Sequence, residues 1–304
     1  MTGKFREQVF LLGPRRSHVG ILTEPAVAVP GRPAIVLLNA GIIHRVGPGR
    51  MSVLLARTLA ARGHTVLRFD LSGIGDSPPR ADGLAPVDGA MADIREALDG
   101  LESARGFDRV VLMGLCSGAD HSLVYAGQDP RVVGLALFDP STPRTRRYYF
   151  HHYLPRLFRP KVWYNVIAGR NARVRRLAAN LFGSERGDAA ARPNLQSPEV
   201  HAVLEAGYRE ALAQGVQFLI ALTSGVEDRH NYREQVLDAF PRIAFGERLR
   251  LEYLKGVDHT FSTEAQRGQL FRLVTAWLEG TAFRAATQPD PEDEAAGVEF
   301  HDFG

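Results

Sequence analysis

A short segment around the only cysteine of the chain combines residue types that suit covalent acyl chemistry. Val110–Ser122 reads VVLMGLCSGADHS, in which a β-branched run leads into Gly114 and Cys116 and then into a segment that can form a helix. Glycines on both sides of the cysteine permit a very tight turn, and such a turn lifts the central side chain above the sheet edge. A helix N-terminus behind the sulfur favours the thiolate, which is the form that attacks an acyl carbon. We therefore predict that Cys116 is a nucleophile.

A buried structural role is the common fate of a free cysteine and is the alternative for Cys116. The glycine spacing, the preceding strand and the following helix favour the nucleophile. Ser117 lies one position past the centre of the turn, so its side chain is predicted to point away from the site. Its backbone N–H can instead face an oxyanion.

Apolar runs along the chain predict the elements that would position this turn. Runs that read as strands alternate, in the later part of the chain, with segments that can form helices with an apolar stripe. This alternation predicts an α/β fold with an eight-stranded, mostly parallel sheet. The predicted strands are Gln8–Leu12, Val19–Thr23, Ala34–Asn39, Val66–Phe69, Val110–Gly114, Val132–Phe138, Val216–Thr223 and Leu249–Leu254, and the predicted helices include Met51–Arg62, Gly89–Ala104, Cys116–Gly127 and Glu264–Glu279.

Composition sets limits on the class of protein. The chain has 304 residues with 45% hydrophobic and 23% charged side chains, which is ordinary for a globular protein. A net charge of +3 gives no support for a nucleic-acid partner, and no apolar stretch is long enough for stable membrane insertion. One cysteine and no secretory leader pattern lead us to expect a cytoplasmic protein. The sequence leaves the oligomeric state open.

Neither a metal nor a cofactor is expected. The adjacent His151 and His152 lack the helical spacing of a zinc site, and a single cysteine supplies no thiolate cluster. Gly73-Ile74-Gly75 lacks the third glycine of a dinucleotide loop and is followed by two prolines.

A long segment between the sixth and seventh strands predicts an inserted helical cap. We assign residues 1–142 and 214–283 to the core, 143–213 to the cap and 284–304 to an acidic flexible tail. Residues 144–192 contain many arginines interleaved with aromatic residues, and their only acidic residues are Glu185 and Asp188. Such a surface suits an acyl chain tethered to the phosphopantetheine of an acyl carrier protein or to coenzyme A. A solvated helix surface is the alternative.

Three motifs together resemble those of the α/β-hydrolases. They are NAGIIHRVGP after the third strand, RFDLSGIGDS after the fourth and GLCSGAD after the fifth, and the resemblance covers most of residues 4–283. In finer detail they look like the hydrolases associated with exosortase systems, a branch related to serine-aminopeptidase-like hydrolases. The resemblance implies the α/β-hydrolase fold, with cysteine where the nucleophile is usually serine. This departure makes protease or lipase activity less expected.

The resemblance also implies the remaining members of a catalytic site. It assigns the catalytic histidine to His259, in the loop after the eighth strand. The orienting acid is usually found after the seventh strand, where Asp228 is favoured and Glu227 is the alternative. Asp139, after the sixth strand, is a further alternative, since some thioesterases of this fold carry their acid there. Its other interpretation is a turn residue before a proline.

The loop after the third strand is predicted to complete the oxyanion hole. The backbone N–H groups of Ser117 and Ile42 are the expected donors. His44 and Arg45 lie in the same loop and are candidate substrate contacts, with solvated loop polarity as the alternative.

Together these residues predict an acyl-transfer enzyme with a Cys-His-Asp triad. Cys116 would attack an ester or thioester, and the acyl group would pass to water, an amine or an alcohol. One alternative is lactone hydrolysis, because the cysteine turn also resembles that of the dienelactone hydrolases. The other is a non-catalytic binding protein on a hydrolase scaffold.

Overall fold

The computed structural model describes residues 5–13, 17–157, 197–227, 229–280 and 283. Within them, eight strands form a single sheet. In chain order the strands are β1 (Phe5–Leu12), β2 (His18–Pro25), β3 (Ala34–Leu37), β4 (Val66–Phe69), β5 (Val110–Leu115), β6 (Val132–Phe138), β7 (Gln217–Thr223) and β8 (Leu249–Leu254).

The sheet has the order β1-β2-β4-β3-β5-β6-β7-β8. The first two strands form an antiparallel hairpin, β2 runs antiparallel to β4, and all remaining pairs are parallel. Strands β3, β4 and β5 are buried along their whole length, as expected for parallel strands with helices on both faces. The predicted α/β class and the eight-stranded, mostly parallel sheet are confirmed.

Helices cover both faces of the sheet. The described residues contain seven α-helices: α1 (Met51–Ala60), α2 (Pro86–Arg105), α3 (Ser117–Ala126), α4 (Arg146–Leu157), α5 (Pro198–Ala213), α6 (Gln235–Ala239) and α7 (Glu264–Leu278). One hydrophobic core contains residues of α2, α3 and α5, such as Leu98, Leu123 and Tyr208. The other contains residues of α1 and α7, such as Leu59 and Val274. Truncating a buried leucine in either core to alanine would destabilise the fold by about 2–5 kcal/mol.

Helix α5 belongs to the core, although it lies inside the segment predicted as a cap. Leu204, Tyr208 and Ala211 form its buried stripe, and they pack in the same core as α3. The approach is close: a Cβ on Gly207 would lie 3.1 Å from Leu123. The helical periodicity of the long connection does not show which of its helices returns to the sheet, so the sequence predicts a single insertion.

The structure describes only part of the predicted cap and none of the predicted tail. Residues 158–196 of the predicted cap and the predicted tail, residues 284–304, lie outside the described residues. In the part of the chain that the structure describes, every helix is too short or too polar to cross a membrane. The cytoplasmic location stays a prediction.

Candidate active site

Cys116 occupies a strained turn between β5 and α3. Its backbone has φ 57° and ψ −120°, a conformation that costs a non-glycine residue about 1–3 kcal/mol. A hydrogen bond from the Cys116 N–H to the Phe138 carbonyl, 2.9 Å long, holds the turn against β6. There is no room for a side chain at either glycine beside Cys116. A Cβ on Gly114 would lie 2.1 Å from the Gly118 backbone, and a Cβ on Gly118 would lie 2.5 Å from the Asn39 carbonyl oxygen. The flanking glycines are therefore needed for the close packing that presents the thiol.

Asp139 and His259 meet beside this thiol. His259 Nδ1 lies 2.7 Å from Asp139 Oδ2, although the two residues are 120 positions apart. Asp139 follows β6 with a φ of 46°, and its carboxylate is fully buried. The backbone N–H and the hydroxyl of Thr223, at the end of β7, donate to the two carboxylate oxygens over 2.6 and 2.7 Å. The carboxylate is thus fixed from two directions.

The three side chains shift one another's protonation. Hydrogen bonds to Asp139 and Cys116 raise the pKa of His259 to about 9, against the opposing effect of burial. The interaction with His259 lowers the pKa of the Cys116 thiol, in spite of its burial, and Arg229 contributes to the same shift. Burial opposes ionisation of Asp139, but hydrogen bonds from His230 and His259 hold its pKa below the usual value. These shifts favour a thiolate–imidazolium pair beside an ionised carboxylate.

Asp139, an alternative in the sequence analysis, is the carboxylate that contacts His259. The favoured Asp228 lies outside the described residues. Glu227 has an exposed side chain, and its backbone carbonyl accepts a hydrogen bond from Tyr148 Oη at 3.0 Å. The loop after β7 instead supports the His259 loop by close packing, because a Cβ on Gly225 would lie 2.9 Å from the His259 nitrogen. Among the described residues Asp139 is therefore the candidate orienting acid, and the role of Asp228 stays a prediction.

His230 is a second histidine on the same carboxylate, and the sequence analysis missed it. Its ring is fully buried, with Nε2 3.0 Å from Asp139 Oδ1 and 3.1 Å from the Thr223 carbonyl. Its Nδ1 is buried without a hydrogen-bond partner. Asp139 therefore lies between two imidazole rings, of which only His259 reaches the thiol.

Arg229 is the second residue that the sequence analysis missed. Its NH1 atom lies 3.1 Å from Cys116 Sγ, across 113 positions of sequence. The backbone of Arg229 is fixed, since its N–H donates to the Val226 carbonyl at 2.8 Å and its carbonyl accepts from Gln235 Nε2 at 2.8 Å. No motif marks an arginine in this loop, so the contact becomes visible only in the folded chain.

The loop after β3 lies against the N-terminus of α3. The Gly41 N–H donates to Ser117 Oγ over 2.8 Å, which directs the Ser117 side chain to the loop. Asn39 holds the loop in place by accepting from the Leu71 N–H at 2.8 Å and donating to the Ile43 carbonyl at 3.0 Å. The first N–H groups of a helix have no intrahelical acceptor, so the Ser117 N–H can serve an oxyanion. The Ser117 and Ile42 donors stay predictions.

The two candidate substrate contacts in this loop differ. The Arg45 guanidinium pairs with the buried Asp70 and, at 2.6 Å, with Asp76, so it holds the β3 and β4 loops together. These ion pairs give the guanidinium a structural role, and its predicted contact with substrate stays a prediction. His44 is exposed and stays a candidate.

Comparison with known families agrees with this geometry. The family model described as alpha/beta hydrolase fold matches residues 33–186, about half of the chain. The chain belongs to the alpha/beta hydrolase family. Membership supports a hydrolytic enzyme.

Solved structures with this alpha/beta hydrolase fold align with nearly the whole chain. VinJ superposes with a TM-score of 0.53 at 16% identity, covering 90% of this chain and 98% of its own. A proline iminopeptidase from Mycobacterium smegmatis superposes with a TM-score of 0.52 at 17% identity, covering 90% of this chain and 97% of its own. The esterase domain of a Rhodothermus marinus protein superposes with a TM-score of 0.52 at 19% identity, covering 90% of this chain and 97% of its own. No protein of curated function matches the sequence. The likeness to exosortase-associated hydrolases and the cysteine nucleophile stay predictions.

This alpha/beta hydrolase contains a second histidine–carboxylate group, which we name the β2–α2 cluster; its members are His18, Ser72, Arg80, Asp93 and Glu96. The ligand atoms of its histidine and two carboxylates lie within 4.8 Å of one another, a spacing that could hold a metal ion. Arg80 NH1, however, lies 2.6 Å from Asp93 Oδ1 and 3.2 Å from Glu96 Oε1. The guanidinium already supplies the positive charge there, so we assign the β2–α2 cluster to a structural ion-pair network.

Proposed function

We propose that this protein transfers an acyl group from an ester or thioester through a covalent intermediate on Cys116. His259 and Asp139 are the other members of the proposed triad, and the acceptor is water, an amine or an alcohol. The observation that carries the proposal is the line of contacts from Asp139 through His259 to the thiol. These side chains follow β6, β8 and β5, whose carboxyl ends share one edge of the sheet.

The proposed reaction has two half-reactions. In the first, the Cys116 thiolate attacks the carbonyl carbon, and the backbone N–H groups of Ser117 and Ile42 donate hydrogen bonds to the oxyanion. The bond to the leaving oxygen or sulfur then breaks, and the His259 imidazolium gives its proton to that atom. In the second, His259 removes a proton from the acceptor, which attacks the thioester carbonyl and releases the thiolate. Asp139 keeps the ring oriented and stabilises its charged form throughout.

The substrate carrier is a further part of the proposal. We expect the acyl group to arrive on the phosphopantetheine of a carrier protein or on coenzyme A. Support comes from the basic segment that begins at Arg144, whose guanidinium lies 5.3 Å from the centre of the Tyr148 ring. Guanidinium and aromatic groups of this kind suit phosphates and the pantetheine arm.

Intact-mass measurement tests the proposed function. The purified protein and its Cys116→Ala variant are incubated with a panel of acyl thioesters, esters and lactones. We expect an acyl adduct on the wild type alone, and its mass identifies the preferred chain. An equal adduct on the variant would refute Cys116 as the nucleophile. Consumption of lactones alone would favour the lactone hydrolase, and no reaction with any compound would favour the binding protein.

A further inference from the structure

The hydroxyl of Ser117 lies between the two segments that are expected to form the oxyanion hole. Ser117 is the first residue of α3, directly after Cys116, and its Oγ accepts a hydrogen bond from the Gly41 N–H at 2.8 Å. In an α-helix each Cα–Cβ bond tilts toward the N-terminus, so this hydroxyl lies at the end of α3 that begins beside the thiol. The side chain therefore faces the loop after β3, which supplies the other expected donor.

Close packing fixes the position of this hydroxyl. A Cβ on Gly118 would lie 2.5 Å from the Asn39 carbonyl oxygen, so the first turn of α3 is held against the segment that follows β3. Within that loop the Ile43 N–H donates to the Ala40 carbonyl at 3.1 Å. A Cβ on Gly41, in contrast, would meet nothing within 4 Å. The loop thus holds the hydroxyl and leaves open space beside it, which is room for a substrate carbonyl.

The Ser117 hydroxyl keeps a proton that it can donate. A serine hydroxyl can accept two hydrogen bonds and donate one. Ser117 Oγ accepts from Gly41, and among the residues that the structure describes its O–H has no acceptor. Ser122 on the same helix differs, because its hydroxyl donates to the Gly118 carbonyl at 2.7 Å. Accepting from an N–H also polarises the Ser117 hydroxyl, which strengthens it as a donor.

We infer that the Ser117 hydroxyl donates a hydrogen bond to the oxyanion that forms when Cys116 attacks a carbonyl carbon. It is then a third donor beside the two proposed backbone N–H groups, and Ser117 is a catalytic residue because it touches the reacting oxygen. This inference rests on the proposed function, since the oxyanion belongs to the proposed acyl transfer. Negative charge passes from sulfur to oxygen in this step, and a donor that is fixed beforehand stabilises it without reorganisation.

Comparing the acylation of Cys116 with its alkylation tests this role. Attack on an acyl thioester creates an oxyanion, whereas attack on iodoacetamide displaces iodide and creates none. Because the chain has one cysteine, both rates report on Cys116 alone. In Ser117→Ala we expect the maximal acylation rate to fall by about tenfold or more. The half-saturating thioester concentration and the alkylation rate should stay within about twofold of the wild type.

Two further variants separate the hydroxyl from the packing of the helix end. Ser117→Thr keeps a hydroxyl and should recover most of the acylation rate. Ser103→Ala removes an exposed hydroxyl from α2, and we expect wild-type rates in this control. If acylation and alkylation slow by the same factor in Ser117→Ala, the residue acts on the thiol or on the fold and the inference is wrong. Unchanged or faster acylation would show that the hydroxyl only occupies the Gly41 N–H, which also overturns the inference.

Trifluoroacetone tests the hydroxyl without any acyl transfer. The Cys116 thiolate adds to its carbonyl carbon, so a sulfur–carbon bond forms and the π electron pair moves to oxygen as an alkoxide. Fluorine NMR measures this reversible adduct, and we expect Ser117→Ala to bind trifluoroacetone about tenfold more weakly than the wild type. That loss, in a protein that no thioester acylates, would retain the oxyanion donor and refute the proposed function. Acylation of the wild type, with equal acylation rate and equal ketone affinity in Ser117→Ala, would refute the donor alone.

Discussion

Two histidine–carboxylate clusters in this molecule contain similar groups at similar distances, yet their surroundings differ. In the β2–α2 cluster His18 Nε2 lies 2.9 Å from Ser72 Oγ, and His18 Nδ1 lies 3.2 Å from Glu96. In the candidate active-site cluster, which comprises Cys116, Asp139, Arg229, His230 and His259, the His259 ring lies 2.7 Å from the Asp139 carboxylate. Residue types and spacing alone therefore do not distinguish a catalytic group from an ion-pair network.

The difference lies in what surrounds the potential nucleophile. The Ser72 hydroxyl donates its hydrogen bond to Asp93 at 2.8 Å, so its proton points to the carboxylate and not to His18. A catalytic histidine would have to accept that proton. Cys116 sits on a backbone with positive φ, beside a cation and at the start of a helix of ten residues. Backbone placement and local charge, rather than the histidine itself, make one cluster suited to acyl chemistry.

Replacing the proposed nucleophile should have the largest effect. In Cys116→Ala we expect acyl turnover to fall by at least about a thousandfold, because no covalent intermediate can form. Ser72→Ala removes the corresponding atom of the β2–α2 cluster and should retain nearly full turnover. Initial rates on the best thioester of the panel provide the measurement. Comparable losses in both variants would show that the two clusters had been assigned wrongly.

Neutralising the orienting acid should have the next largest effect. In Asp139→Asn we expect turnover to fall by about a thousandfold or more, because the imidazolium loses its counterion. In the wild type kcat/KM should decline as pH rises through about 9, where His259 loses its proton. In the variant this limb should move toward the unperturbed histidine pKa of about 6.5. A pH profile that keeps its limb near 9 in Asp139→Asn would show that another group raises the pKa.

Changing the second histidine on Asp139 should have a moderate effect. His230→Leu removes one donor from a buried carboxylate, so we expect about a tenfold loss of turnover and an unfolding free energy lower by about 1–3 kcal/mol. His230→Gln keeps an N–H donor, so it should retain most of the turnover and most of the unfolding free energy. Equal losses in the two variants would indicate a packing role.

Acid should reduce the stability difference between the wild type and His230→Leu. Contacts that depress the folded pKa of Asp139 stabilise the protein above the unfolded aspartate pKa of about 3.9. This stabilisation is lost as pH falls through the lower folded value. Urea unfolding at pH 7 and near pH 3 measures the change. A difference that grows on acidification would contradict the assignment of His230 to the ionised carboxylate.

Disrupting the ion-pair network should have the smallest effect on activity. Arg80→Gln leaves Asp93, whose side chain is 1% exposed, without its guanidinium partner. We expect an unfolding free energy lower by about 1–3 kcal/mol and turnover within about twofold of the wild type. Thermal unfolding and initial rates measure the two quantities separately. A large loss of turnover at unchanged stability would show that the β2–α2 cluster takes part in the reaction.

The sequence predicted the strands well because their signal is local. The run at Val132–Phe138 matches the observed strand, since a buried parallel strand is a continuous apolar segment. The turn glycines around Cys116 could also be predicted, because their requirement comes from adjacent backbone. The core position of α5 could not, since its stripe of Leu204 and Tyr208 fits a cap helix equally well.

The acid and the cations of the site were harder to predict because their contacts are long-range. Asp139 and the loop containing Glu227 follow neighbouring parallel strands, so both reach the same sheet edge. Their order along the chain does not show which carboxylate turns toward His259. Arg229 and His230 carry no motif, and their partners become neighbours only through the turn after β7.

The burial of Asp139 also bears on how the chain folds. Its hydrogen-bond partners Thr223, His230 and His259 come from the last third of the sequence, 84 or more positions later. Until β7 and β8 have docked, this carboxylate has none of those donors and remains in water. Closing such long loops is slow, so docking of these strands belongs to the late steps of folding. The step that finally desolvates the charge is then also the step that assembles the candidate active site, so a partly folded chain carries the thiol without its base.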